Sequence, residues 1–541
     1  MLLLIINIAF ILIFFSCEDY IEQSTLPNIL WLVAEDQSPE FFSIYGNDMI
    51  SLPNLEKLTR DGTIYTNAYA PVPVCAPSRS ALITGMYPSS IGTHNMRTYN
   101  AFKDVNEPSI NIPSYSPILP EGVKMFTEYL RKAGYYCTNN SKEDYNFKTL
   151  PSAWDESGKK AHWKNRPKET PFFSIFNFGI THESQIWKQS EAPLLVDPSK
   201  LIVPPIFPDN HIIRKDLAIN FSNLIRLDKQ VGNILNELKN SGLYDNTLIF
   251  FYSDHGGPFP RHKRALYETG IKVPLIIKMP KKIDAKKHED RFVSFIDYAP
   301  TLLSFIGIKP PEIMQGNAFL GKYKSDDPSF IFTTSDRYDE KIDKLRAVRY
   351  SNYKYIRNFN PYISNAIEVI YREQMPMMQN MREKWKSNNL PKNISRWFET
   401  PKPKEELYDI TIDPYELNNL AKNPSLKDTL FFLRNKLDQW IEETGDLGVF
   451  TEKEILNSFF PNGKPPKLSS LSYKIEDGLI ILTHPNKGSS IIWQKADDKS
   501  RSWNIYDKPL SNEMQIVAKA VRIGYDSSEV LMINWPKTEN P

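Results

Sequence analysis

Near-continuous apolar runs of strand length occur at Asn28–Ala34, Pro171–Phe178 and Thr247–Tyr252. Runs that do not alternate with polar residues predict strands buried on both faces of a parallel sheet. Between them the period changes. Leu55–Arg60, Val123–Ala133 and Leu217–Leu238 space their apolar residues at helical intervals, and Gly134 and Gly242 follow the second and third as stops. Tyr135–Thr138 and Val273–Lys278 read as further strands, and Asp297–Phe305 as a further helix. This alternation predicts an α/β domain with a large mixed, mostly parallel sheet flanked by helices. Three of the strands run directly into polar groups: Glu35-Asp36, Thr181-His182-Glu183 and Ser253-Asp254-His255-Gly256. Ligands of such sheets sit beyond the carboxyl ends of the strands, so these distant groups are expected along one edge.

From about Ser329 the texture shifts. Ala347–Tyr350 and Tyr353–Ile356 read as a hairpin around Ser351-Asn352, and Ser425–Glu443 as a helix packed on it. This predicts a smaller antiparallel α+β subdomain over 329–448. Short alternating runs at Gly478–Thr483, Ser489–Trp493 and Ile516–Val521 predict a small all-β module over 455–541. A chain of 541 residues is too long for one core, so several units are expected. The net charge of +2, with no basic stripe, argues against a nucleic-acid partner. Three cysteines, Cys17, Cys75 and Cys137, make no disulfide framework. Met1–Ser16 is apolar and has the length of a signal-peptide core. Phe14-Phe15-Ser16-Cys17 resembles a bacterial lipobox, so 1–17 is expected to be a signal peptide with Cys17 lipidated. The protein is then exported and lipid-anchored in the cell envelope, at the outer membrane or in the periplasm. A plain signal peptide or an N-terminal anchor helix is the alternative.

The most informative string is Cys75-Ala76-Pro77-Ser78-Arg79, followed by Ser80-Ala81-Leu82-Ile83-Thr84-Gly85. Prolines on both sides hold the chain out of helix before the thiol. A helix over Ser78–Thr84 would then aim its free N–H groups and positive dipole end at Cys75, which suits an anion. Glu35-Asp36 and Asp254-His255 at two strand ends make an oxygen-rich site for a hard divalent cation. The string resembles the signature of type I sulfatases of the alkaline-phosphatase-like superfamily, and the resemblance extends over roughly Pro27–Gly448.

That resemblance implies a catalytic domain over 27–328 in which Cys75 is oxidised to formylglycine by a maturation enzyme. It implies a cation, calcium with magnesium as alternative, held by Glu35, Asp36, the modified Cys75, Asp254 and His255. Arg79, Lys142 and Lys263 would bind the sulfate and the formylglycine hydrate, and His182 would protonate the leaving group. One hydroxyl of the hydrated aldehyde would attack sulfur, and the other would then expel sulfate. Three positions depart from the family pattern. Glu35 stands where Asp is usual, and His255 stands where Asn is common. Lys142-Glu143-Asp144 replaces Lys-x-His, leaving Asp144 in place of a histidine. Because His255 binds metal only when neutral, affinity is expected to fall as it protonates.

Glu35–Pro39, Thr93–Arg97 and His182–Gln185 resemble a branch related to heparan N-sulfatases and to marine-polysaccharide sulfatases. This implies a sulfated glycan substrate, ulvan first and N-sulfoglucosamine of heparan second. His94, Arg97, Arg261 and His262 are then the candidates to line the sugar pocket. Related phosphatases and phosphodiesterases use Thr or Ser with two zincs and need more Asp and His ligands than appear here. A catalytically inactive glycan-binding lipoprotein is expected to lack some of Cys75, Arg79, Asp254 and Lys263, and all four are present.

Overall fold

The computed structural model describes residues 26–99, 112–280, 287–498, 502–511 and 515–534. The apolar leader and Cys17 lie outside the described residues. A mixed sheet forms the centre of the chain. Its strands are β1 (Asn28–Ala34), β2 (Thr63–Tyr69), β3 (Tyr136–Asn140), β4 (Glu156–Ser157), β5 (Phe172–Phe178), β6 (Thr247–Ser253), β7 (Lys272–Lys278), β8 (His288–Glu289) and β9 (Val293–Ser294). They lie in the order β4-β3-β5-β1-β6-β7-β2-β8, with β9 also paired to β2. β7 is antiparallel to both of its neighbours, while the other pairings are parallel.

The expected burial on both faces is visible residue by residue. In β1, Leu30 and Leu32 enter one core while Ile29, Trp31 and Val33 enter the other. Side chains alternate across a strand, so an unbroken apolar run feeds two cores at once. One core is covered by α5 (His211–Asn240) through Leu217, Leu224 and Val231, and the other by α3 (Phe126–Lys132) and the helix Tyr298–Phe305. Asn210 caps α5 by accepting from the N–H groups of Ile212 and Ile213, which sets where that long helix begins. Truncating Leu32 to Ala in this packing costs about 2–5 kcal/mol.

β2 breaks the apolar pattern with Thr66 and Asn67. The pairing with β7 shifts register between Tyr65 and Ala68, so this strand carries an irregularity instead of a clean run.

A second, antiparallel sheet follows: β10 (Phe330–Tyr338), β11 (Lys341–Tyr350), β12 (Tyr353–Asn358) and β13 (Glu405–Asp409), in that order. The expected hairpin turns at Ser351-Asn352, with Tyr350 opposite Tyr353. The helix Lys427–Thr444 packs on it, where Trp440 stacks on Phe332 at 5.0 Å and meets Tyr87 of the main domain edge-on at 5.0 Å. The C-terminal residues form two small antiparallel sheets around Ile480, Leu482, Leu510, Ile516 and Ala518, as the alternating runs predict. They dock on the main domain through Lys124 to Ser490 Oγ at 2.8 Å and Arg522 to the Leu119 carbonyl at 3.1 Å.

Candidate active site

The carboxyl ends of β1, β2, β3, β5 and β6 bring one residue group each to the same edge. α2 (Cys75–Thr84) follows β2 and starts at Cys75 itself, three residues earlier than the expected start at Ser78. Pro77 falls in the first turn, where its missing N–H has no intrahelical partner to lose, so it starts the helix instead of delaying it. The Ser78 N–H donates to the Val74 carbonyl at 3.2 Å, and the Ser78 hydroxyl to the Asp254 carbonyl at 2.5 Å, tying the turn to the end of β6. Gly85 ends the helix at φ 70°, a left-handed cap that favours glycine. Cys75 is fully buried on the first turn, at the positive end of the dipole.

Around its thiol the acidic pairs converge. Cys75 Sγ lies 3.3 Å from His255 Nε2 and 3.9 Å from Asp36 Oδ1. His255 Nε2 is 3.0 Å from Asp36 Oδ1 and 3.8 Å from Asp254 Oδ1. The ligand atoms of Asp36, Cys75, Asp254 and His255 all lie within 4.8 Å of one another. Asp36 adopts φ 54° at the end of β1, a left-handed conformation Asp tolerates, and its N–H donates to Asp254 Oδ1 at 3.1 Å. Burial alone would raise the Asp36 carboxyl, but Lys263, His182 and His255 hold it well below the usual range. Asp254 is likewise held at about 2, as His255 and Arg79 outweigh burial. Burial pushes His255 down, yet Asp254 and Asp36 draw it up to about 10. The cluster therefore demands positive charge, which fits a divalent cation on two carboxylates and an imidazole.

Glu35 departs from its expected place. Its carboxylate lies outside that group and pairs instead with Lys142 at 3.1 Å and Arg79 at 3.6 Å. The extra methylene relative to Asp gives it the reach to do so. Arg79 also donates from Nε to Asp254 at 3.1 Å and from Nη1 to Asn177 Oδ1 of β5 at 2.6 Å, which fixes its fork. Lys263 Nζ is 2.8 Å from Asp36 Oδ2, 3.0 Å from Glu183 and 3.4 Å from His182 Nε2. Burial raises the Cys75 thiol, but Lys142 and Lys263 overcome it and bring the thiol down to about 6. That environment stabilises negative charge at the end of side chain 75.

His182 Nδ1 accepts from the Ser184 N–H at 3.3 Å and lies 2.9 Å from the Ser184 hydroxyl. Its Nε2 faces the Lys263 ammonium and, at 4.0 Å, Asp36. Asp144 lies 3.9 Å from Lys142; burial raises its carboxyl, but Arg97 and Lys142 outweigh this and keep it low. It balances cations where a histidine was expected.

The four proposed sugar contacts divide. Arg97 stays at the site, its side chain 38% exposed and 3.8 Å from Asp339. His94 is only 2% exposed and so does not line an open pocket. Arg261 and His262 point away. Arg261 donates to the carbonyls of Tyr415 and, at 2.7 Å, Glu416, and stacks on Tyr267 at 4.0 Å. His262 bonds Glu40 at 2.6 Å and stacks on Phe41 and Phe207. Arg261 and Arg264 both have positive φ, so the chain reverses twice around Lys263 and adjacent residues face opposite sides. Gly270 locks that reversal: a Cβ there would lie 2.1 Å from the Ala265 carbonyl oxygen.

Sequence reasoning assigned no role to Asn177, Glu183 or Arg264, although Glu183 adjoins His182 and Arg264 adjoins Lys263.

The Sulfatase family profile matches residues 27–202 and 215–308. A Formosa agariphila protein named ulvan-active sulfatase is 40% identical, covering 94% of this chain and 91% of its own length. The human N-sulphoglucosamine sulphohydrolase is 25% identical over 79% of this chain and 92% of its own. A solved complex with D-glucosamine-2-N,6-O-disulfate shares the fold at TM-score 0.57, with 17% identity over 78% of this chain and 98% of that one. Given the profile match over the α/β domain and a 40% identical relative along nearly the whole length, the chain belongs to the sulfatase family and is a sulfuric ester hydrolase.

Proposed function

We propose that this sulfatase hydrolyses sulfate esters of a sulfated polysaccharide, with ulvan as the favoured substrate, using formylglycine formed from Cys75 and calcium or magnesium. The observation that carries the mechanism is the buried Cys75 thiol between Lys142 and Lys263, drawn down to about 6 beside the Asp36, Asp254 and His255 cluster. Here Sγ stands in for the oxygens of the hydrated aldehyde, which supplies one hydroxyl to attack sulfur and another to release the sulfate. Asp36, Asp254 and His255 would hold the cation, which supplies charge neutralisation on the sulfate oxygens. Lys142, Lys263 and Arg79 are already fixed by carboxylates and add preorganised positive charge without reorganisation during the reaction. His182 turns Nε2 into the site on the Lys263 side, where that nitrogen, once protonated, would donate to the leaving-group oxygen.

The 40% identical relative named ulvan-active sulfatase supports the substrate. The N-sulphoglucosamine sulphohydrolase relative supports heparan as the second reading. Export and lipid anchoring through Cys17 complete the proposal, placing the enzyme in the cell envelope where polysaccharide fragments arrive. The deciding experiment is sulfate release from defined ulvan and heparan oligosaccharides, alongside the Cys75→Ala protein. Release from ulvan fragments alone establishes the first reading, and release from N-sulfated glucosamine alone establishes the second. Binding without release by the wild type would instead make the chain a glycan-binding protein on an inactive scaffold.

A further inference from the structure

One aromatic ring lies against His182 and a second lies against the first, and the bond-breaking chemistry uses neither. Tyr371, in the segment between β12 and β13, has its ring centre 6.2 Å from the His182 ring at 66°. Trp187, in α4 (Ser184–Lys188), meets Tyr371 at 5.3 Å and 75°. The three rings thus form a bent wall that starts at the proton-donating histidine. Trp187 and Tyr371 are half-buried, unlike the core aromatics Trp31 and Tyr252, and so keep part of their surface in solvent.

The surroundings add fixed charge. Lys263, Glu183 and Arg97 all act electrostatically on the Tyr371 phenol. Arg97 has φ 54°, its side chain is more than a third exposed, and its nearest carboxylate ion pair among the described residues is at 3.8 Å, to Asp339. Its charge also reaches Cys75. A pyranose has an apolar C–H face and a polar rim. Half-open rings with an adjacent cation match both parts, since aromatics supply rigid apolar area and a few placed polar groups supply orientation.

The geometry points to a pyranose-binding subsite formed by Trp187 and Tyr371, in which the sugar carrying the scissile sulfate sits in the corner between the two rings, its C–H face against one and its edge against the other, and Arg97 faces an anionic substituent. The inference rests on the glycan-sulfatase reading given above. It divides recognition between two parts of the chain: the segment after β5 supplies Trp187, and the antiparallel subdomain supplies Tyr371. It also replaces the expected sugar contacts at Arg261 and His262 with residues that face the site.

The full chain carrying Cys75→Ala, which should bind without turnover, provides the test. Calorimetric titration with a defined sulfated ulvan tetrasaccharide and, separately, with inorganic sulfate reads the sugar and sulfate contributions apart. Trp187→Leu and Tyr371→Leu are each expected to weaken tetrasaccharide binding at least tenfold while sulfate affinity stays within twofold. Tyr371→Phe keeps the ring and is expected to keep the affinity. Equal losses for tetrasaccharide and sulfate would mean the rings only support His182 and would overturn the subsite, as would unchanged affinity or a Phe variant as weak as Leu. Failure of the Cys75→Ala parent to bind the tetrasaccharide also overturns it. If that parent binds through the rings but the enzyme with Cys75 intact releases no sulfate from any glycan, the substrate reading fails and the subsite stands.

Discussion

Glu183 and Arg264 form a buried two-pronged ion pair, with Nη1 to Oε2 at 2.8 Å and Nη2 to Oε1 at 2.9 Å. The pair supports the site from beneath. Glu183 Oε1 is also 3.0 Å from Lys263, and the Glu183 N–H donates to Asp36 Oδ2 at 2.7 Å. Arg264 reaches on to Asp339 of the antiparallel subdomain at 3.2 Å. Burial alone would raise the Glu183 carboxyl, and Arg264 and Lys263 instead hold it far below the usual range.

Replacing Glu183 by Gln should therefore leave two buried cations under-neutralised. Breaking one partner of a buried pair costs about 3–5 kcal/mol. Urea denaturation should show that loss, and kcat/KM should fall at least tenfold because Lys263 is no longer held between two carboxylates. A Glu183→Gln enzyme with wild-type stability would show that the pair does not support the site.

Cys75→Ala should abolish turnover and leave the fold intact, because it removes one small side chain from a helix start held by Ser78 and Arg79. Mass spectrometry of active protein should find residue 75 lighter than cysteine. Expression without a maturation enzyme should give partial activity at best. Full activity with an intact thiol would refute the formylglycine mechanism.

Much of this site could be read from strand ends. β1, β5 and β6 announce themselves as apolar runs, and the polar residues that stop them are the ones that meet. β2 was hidden because Thr66 and Asn67 interrupt it at the register shift. What a linear motif does not carry is direction. Arg261, His262 and Lys263 are consecutive, yet with left-handed turns at Arg261 and Arg264 only Lys263 reaches Asp36 and Glu183. The Glu35 substitution was legible as one extra methylene, but its pairing with Arg79 and Lys142 depends on where β3 and α2 place those cations. Trp187 and Tyr371 belong to segments that only the fold brings together.

Where the antiparallel subdomain meets the main domain, Lys354 lies 3.1 Å from Glu416 and 3.2 Å from Glu268. One lysine serves two buried acids, so Glu416 is pushed up to about 7, chiefly by burial, with Glu268 adding to it. A raised carboxyl gives its full stabilisation below its ordinary value of 4.5, and loses it as pH rises through about 7. Glu416→Gln should flatten stability across that window, most visibly as a relative gain at pH 8. A variant that keeps the wild-type slope in chemical denaturation between pH 5 and 8 would count against this assignment.

Calcium binding should follow the same accounting at His255, with the opposite consequence for affinity. Without metal, Asp254 and Asp36 hold that imidazole up to about 10, so at neutral pH it carries a proton that a metal ion must displace. The raised value means His255⁺ stabilises the metal-free fold fully below its ordinary 6.5, and this stabilisation fades as pH rises through about 10. Metal affinity moves the other way. The calcium-induced gain in melting temperature should grow from pH 7 toward pH 10, a higher window than an unperturbed histidine would give. His255→Asn offers an amide oxygen in place of the imidazole, so it should still bind calcium with little dependence on pH. Asp254→Ala should lose the calcium response altogether. Melting temperature against calcium concentration at several pH values, for the wild type and both variants, decides the matter. An Asp254→Ala protein that responds to calcium as the wild type does would place the metal elsewhere.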